Sequence, residues 1–161
     1  MSIRWMVSVF LVFGLAGCQT SPPRVLAGAP EFFPMAGAEP LHLPFSEAVR
    51  AGSLLFLSGQ IGNVSGKLEL VPGGIEPETR QVMDHIEAIL ARHGANLDDV
   101  VKCTAFLADM REWPAFNRVY RGYFRQHFPA RSAFGATGLA LGARVELECI
   151  AVLPDAGADR R

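Results

Sequence analysis

One arginine and two glutamates carry the chemistry that this sequence can offer. Arg131 stands in the run Pro129-Ala130-Arg131-Ser132-Ala133, and Glu146 and Glu148 alternate with apolar residues through Val145-Glu146-Leu147-Glu148-Cys149-Ile150-Ala151-Val152. Both runs read as strands, 131–136 and 144–153, joined by a Gly-rich connection. Alternation puts Val145, Leu147, Cys149 and Ala151 on one face of the second strand, and Glu146, Glu148, Ile150 and Val152 on the other. A strand with apolar residues on both faces is covered on both, by helices on one side and by a sheet or another subunit on the other. Arg131 then lies among small apolar neighbours, where a guanidinium needs an anion: Glu146, Glu148 or a ligand. Paired with either glutamate it would be a structural bridge; paired with a ligand it would be a binding group.

The rest of the composition removes several function classes. The 161 residues carry a formal charge of −1, with 15 basic and 16 acidic side chains, and nothing basic is clustered. Nucleic-acid binding, which depends on counterion release by a Lys/Arg surface, is therefore disfavoured. The histidines (His42, His85, His93 and His127) show no ligand spacing with one another or with cysteine, so no metal is expected. Cys103 and Cys149 each fall inside an apolar strand and are expected as separate buried thiols rather than as a bridge.

The N-terminus reads as an export signal. One basic residue, Arg4, precedes an apolar run from Trp5 to Phe13, and Leu15-Ala16-Gly17-Cys18 supplies small residues before a cysteine. The run is too short to span a bilayer as a permanent helix. This segment is similar to a bacterial lipobox, which implies removal of 1–17 and lipidation of Cys18; several acyl chains together make a stable anchor. Gln19 in the next position implies the outer membrane, facing the periplasm. A Pro/Ala/Gly-rich tether follows over 18–41, where Phe32-Phe33 is the exception that could dock on the domain or form a residual strand.

The elements that must position Arg131 and Glu146 lie in 42–154, with 155–161 as a polar tail. A short strand at 44–50 and an apolar one at 54–61 make a hairpin, and a polar loop over 62–74 holds a possible short strand at 67–71. A helix is expected over 77–93, with Pro77 in its first turn and Gly94 at its cap, because Val82, Ile86, Ile89, Leu90 and His93 share one stripe. A strand over 100–107 leads to a second helix over 113–127, whose stripe of Phe116, Val119, Tyr120, Tyr123, Phe124 and His127 reads as core. The order predicts a two-layer α+β domain with one mixed sheet and two helices on one face. The other face of the sheet is apolar too, and association with further copies is the simplest way to cover it.

Phe45-Ser46-Glu47-Ala48-Val49, Phe56-Leu57-Ser58-Gly59-Gln60-Ile61, Thr79-Arg80-Gln81-Val82, Leu97-Asp98-Asp99-Val100-Val101-Lys102, Asn117-Arg118-Val119-Tyr120 and the two runs around Arg131 and Glu146 together resemble the RidA-type (YjgF) family over about Leu43 to Leu153. That resemblance implies a homotrimer with a central barrel of sheets, helices outside and clefts between subunits. It also implies hydrolysis of reactive enamines and imines of small 2-oxo acids, such as 2-iminopropanoate, to the 2-oxo acid and ammonia, without metal or organic cofactor. By position, Arg131 would clamp the substrate carboxylate and Glu146 would hold and polarise the attacking water. Phe45, Ser58, Gly59, Ser132 and Ala133 would line the pocket, with Asn117 in support.

Two positions depart from the family pattern. Phe45 replaces the usual tyrosine and removes a hydroxyl, and Ala133 stands where a cysteine is frequent. The competing expectation is a non-catalytic trimeric lipoprotein in which Arg131 holds small carboxylates. The ribonuclease label attached to some relatives finds no basic surface in this sequence.

Overall fold

Alternating and helical patterns assemble into one mixed sheet with helices against a single face. The computed structural model describes residues 28–35 and 43–154; the signal, Cys18, the remainder of the tether and the tail at 155–161 lie outside those residues. The strands are β1 (Glu31–Phe33), β2 (Ala48–Ala51), β3 (Leu54–Ile61), β4 (Val100–Leu107), β5 (Ala130–Gly135) and β6 (Val145–Val152), and the helices are α1 (Ile75–Arg92) and α2 (Trp113–Arg121). Their spatial order is β1-β2-β3-β6-β4-β5, with β5 parallel to β4 and the remaining pairs antiparallel.

α1 forms because its start, stripe and stop agree. Glu76 and Glu78 lie in the first turn, where the helix dipole favours carboxylates, and Gly94 takes a φ of 72° just past the end, a conformation costly for other residues. Val82, Met83, Ile86, Ile89 and Leu90 are buried against Leu55, Leu57, Ala105, Leu107 and Leu147 of the sheet. Each such side chain contributes roughly 1.5–3 kcal/mol by leaving water, which fixes the strands that carry the site.

The structure corrects the extent of the second helix and the state of the two cysteines, and settles how the strands are ordered. The second helix stops at Arg121 rather than 127. Beyond it Tyr123 donates to the Arg80 carbonyl and to Asp84, Gln126 donates to Asp98 and His127 meets the Asp98 carbonyl, so polar contacts draw the segment off the helix axis while Phe124 stays buried. The strands on either side of the Gly-rich connection are not neighbours, because β4 lies between them. The connection passes over the end of β4, held by Ala136 N–H to the Leu107 carbonyl and Ala108 N–H to the Arg144 carbonyl.

Cys103 and Cys149 are joined in a disulfide, not separate thiols. The register sets them directly opposite on antiparallel β4 and β6 with Cα atoms 4.1 Å apart, a pairing that strand patterns alone do not contain. In the tether, the Phe32-Phe33 exception does both things expected of it: Glu31–Phe33 pairs with β2 as an edge strand, and the centre of the Phe33 ring lies 4.3 Å from that of His93.

Between the helices and sheet the core is continuous, whereas no helix among the described residues covers the opposite face of the sheet. It presents Phe56, Ile150, Val152 and Phe134 with Lys102, Thr104 and Glu148.

A candidate active site in two halves

Arg131 belongs to β5, at the outer edge of the sheet, and turns toward the helices. Its β4 partner is Cys103, whose side chain is fully buried on that face. The guanidinium rests 4.5 Å from the Tyr120 ring centre and 5.3 Å from that of Phe116, and Nη2 donates to Asn117 Oδ1 at 2.7 Å. Aromatic faces attract a guanidinium and hold its plane. Among the described residues no carboxylate lies within ion-pair reach of Arg131, so neither Glu146 nor Glu148 is its partner. Beside it opens a cavity of about 250 Å³ lined by Asn117, Tyr120, Arg121, Phe128 and Pro129. Burial pushes the Tyr120 hydroxyl up to about 12 against the lowering effect of the Arg131 charge, so Tyr120 stays neutral as the floor beneath the cation.

Glu146 lies on the other side of the sheet. It pairs with Phe106 on β4 and Ile61 on β3, and its carboxylate lies across Gly59, where an added Cβ would stand 1.9 Å from Oε1. The β3 register shifts between Leu57 and Gln60, and the bulge delivers Gly59 backbone to that spot. A cavity of about 380 Å³ opens here, lined by Phe45, Gly59, Ile61, Leu68, Leu141 and Glu146 among others. Burial first, and the Glu148 charge second, raise the Glu146 pKa above its ordinary value. A carboxylate so placed is a better proton acceptor than one in water.

Arg131 and Glu146 therefore do not meet within one chain. Their β4 partners, Cys103 and Phe106, are three residues apart, about 10 Å along the strand, and an odd step reverses the face. The other residues named from the sequence divide between the halves. Asn117 holds Arg131, and Ala133, on the same face of β5, packs against the core. Phe45 and Gly59 share the Glu146 cavity. Ser58 donates its hydroxyl to the Ser46 carbonyl at 2.6 Å and lines a neighbouring groove with Phe56, Thr104 and Glu148. Ser132 faces away from the helices and accepts from Lys102 Nζ at 2.7 Å.

Sequence reasoning did not single out Tyr120 as the support of Arg131, nor Leu68 and Leu141 as walls of the Glu146 cavity. Tyr120 was legible only as part of an apolar stripe. Leu68 and Leu141 sit in loops whose positions no periodicity encodes. Among the described residues no group of three or more His, Cys, Asp or Glu side chains is placed to hold a metal ion, and no helix is long and apolar enough to cross a membrane. A bound small acid with its carboxylate on Arg131 and a reactive carbon near Glu146 would need the guanidinium of one copy and the carboxylate of another.

The chain is similar to known proteins over this same region. Residues 37–153 match the family model described as endoribonuclease L-PSP. A 2-iminobutanoate/2-iminopropanoate deaminase from Capra hircus is 42% identical over 109 residues, covering 68% of this chain and 80% of that one. A crystal structure of a conserved Rid-family protein from Yersinia pestis, described as of unknown function, superposes with a TM-score of 0.70 at 35% identity, covering 78% of this chain and 100% of the other. The crystal structure of RidA from an Antarctic Psychrobacter gives 0.67 at 31% identity over 75% and 94% of the two chains.

Proposed function

From the premise that the chain belongs to the RidA/YjgF family, we propose that it hydrolyses enamines and imines of small 2-oxo acids, such as 2-iminopropanoate, to the 2-oxo acid and ammonia. The observation that carries this reading is Arg131: a guanidinium seated on aromatic rings, held by an amide, with no carboxylate partner among the described residues and bordering a cavity. A planar imino acid places its carboxylate next to the electrophilic carbon, so a guanidinium that grips two oxygens also orients that carbon.

The site is completed in a homotrimer, where the Arg131 half of one copy meets the Glu146 half of the next. The uncovered sheet face and the open outer edge of β5 support that assembly. Glu146 takes a proton from water as the oxygen adds to the imine carbon, giving a tetrahedral carbinolamine. The nitrogen is protonated, the C–N bond breaks with its electron pair leaving on nitrogen, and the hydroxyl proton is lost as the carbonyl forms. The products are ammonia and the 2-oxo acid. Each positioned group contributes about 10² to 10⁴ in rate, enough for a substrate that is already activated.

The protein works outside the inner membrane, lipidated on Cys18 and facing the periplasm. The export signal supports this location, and so does the Cys103–Cys149 disulfide, since such bonds persist in oxidising compartments. Mass spectrometry of the N-terminal peptide from membranes tests it: an unmodified Cys18 or an intact signal overturns the anchor.

Activity is tested by generating 2-iminopropanoate in situ with an amino-acid oxidase and following its loss. Wild type is expected to accelerate hydrolysis, with Arg131→Ala and Glu146→Gln each about 10²-fold slower or worse. A wild-type rate equal to the buffer blank, with carboxylate binding retained, would leave a carboxylate-binding lipoprotein instead.

A further inference from the structure

We propose that the Glu146 cavity selects substrates with a bulky apolar side chain, branched or aromatic, over those bearing methyl or ethyl. This rests on the deaminase reading of the same site and specifies its substrate class. Three observations lead there. The cavity measures about 380 Å³. On the single chain that is about half as large again as the cavity beside Arg131. Its lining is mostly apolar, from Leu43, Phe45, Ile61, Leu68 and Leu141, with the Glu146 carboxylate, Lys67 and the amides of Gln60 and Asn63 as its polar groups. A site for a small polar acid has no use for so much apolar wall, whereas pockets for larger ligands combine such walls with a few convergent polar groups.

The second observation is exposure. In the single chain Phe45 is 48%, Leu68 66% and Leu141 49% exposed, so three large apolar side chains flank the Glu146 carboxylate on the side where the site is open. Covering them with a substrate side chain recovers the hydrophobic free energy that folding leaves unused. Phe45 contributes ring and no hydroxyl, which shifts this wall toward the apolar.

The third observation is backbone strain. Leu141 has φ 57° and ψ 10°, the one positive-φ residue other than glycine among those described. Leucine in that region costs on the order of 1 kcal/mol relative to glycine, and the adjacent Gly142 shows that the loop admits glycine. That conformation sets the Leu141 side chain in the wall of the cavity, beside Glu146.

The test uses stable product acids, so that it reads selectivity without turnover. Calorimetric titration of the full-length protein in detergent with pyruvate, 4-methyl-2-oxopentanoate and phenylpyruvate is expected to show the two larger acids binding at least tenfold tighter. Leu68→Ser and Leu141→Gly are each expected to lower that ratio at least threefold, and kcat/KM for the corresponding imines should follow the same order. Equal or weaker binding of the larger acids overturns the proposal, as does no binding of any. Variants that change the oligomeric state while leaving the ratio intact overturn it too, because a second copy would then be what covers the leucines. Retained selectivity with imine hydrolysis at the buffer rate supports the pocket and removes the deaminase reading alone.

Discussion

Arg131 and Glu146 occupy opposite faces of one sheet, their β4 partners Cys103 and Phe106 separated by three residues. No side-chain rotation brings them together, so a site that uses both must borrow one from another copy.

That separation predicts complementation. Arg131→Ala and Glu146→Gln, each expected to be at least about 10²-fold slower alone, should regain activity when unfolded together and refolded, since an interface can take its arginine from one variant and its glutamate from the other. Random assortment at each interface gives roughly a quarter of wild-type activity. Initial rates after refolding of equimolar mixtures measure it, and a mixture no faster than its components would place the site within one chain.

Gly59 is predicted to tolerate no side chain. A Cβ there would stand 1.9 Å from Glu146 Oε1 and 2.8 Å from its Cδ, so the carboxylate must swing away. Gly59→Ala is expected to lower kcat about 10²-fold, the usual consequence of displacing a reacting group by about 1 Å. Circular dichroism should show the fold retained.

The pH dependence follows from the raised Glu146 pKa, caused by burial and then by Glu148. A base must be ionised, so activity falls as pH drops through that pKa. The acid limb of kcat/KM should move to lower pH in Glu148→Gln, which removes one raising influence. Stability runs the other way. A carboxyl with a raised folded pKa stabilises the fold fully below its unfolded value, and that contribution is lost as pH rises through the folded one. Glu146→Gln should therefore melt above wild type at neutral pH, and the gap should close below the ordinary glutamate value of 4.5. Melting curves between pH 3 and 8 decide it.

The cystine is predicted to stabilise without taking part in chemistry. Cys103 and Cys149 are buried in the core, 46 residues apart in sequence. Replacing both with serine or alanine should cost about 2–4 kcal/mol in urea unfolding, by freeing the denatured chain. The alanine pair avoids burying hydroxyls, and kcat at a temperature where both variants are folded should stay near wild type.

Local elements and the hairpin of β2 with β3 were legible in the sequence, and the long-range strand neighbours were not. Leu54–Ile61 and Val100–Leu107 carry the bounds their apolar runs give them, and α1 falls between a proline-bearing first turn and a glycine stop, because these signals act within a few residues. The insertion of β4 between β5 and β6 depends on contacts across the whole domain, so patterns gave no account of it. The cystine was missed for the same reason. At the site, alternation alone set Glu146 opposite the core face, but the aromatic seat of Arg131 comes from a helix whose stripe also builds the core. One set of rings does both tasks, and composition cannot separate them.

The two flanks of the sheet differ in a way that bears on solubility. β1 is only three residues long, and Glu31 lies 3.8 Å from Arg50 on the outer strand pair, whereas β5 runs for six residues. Strand edges recruit other strands, and fibrous growth needs a usable edge at each end. A stub carrying opposite charges blunts one end, so edge-to-edge stacking through this sheet has only β5 from which to propagate. The few residues of β1 are thereby expected to slow edge-to-edge extension, so that light scattering on heating should rise faster for a chain trimmed beyond Phe33 than for one trimmed before Glu31.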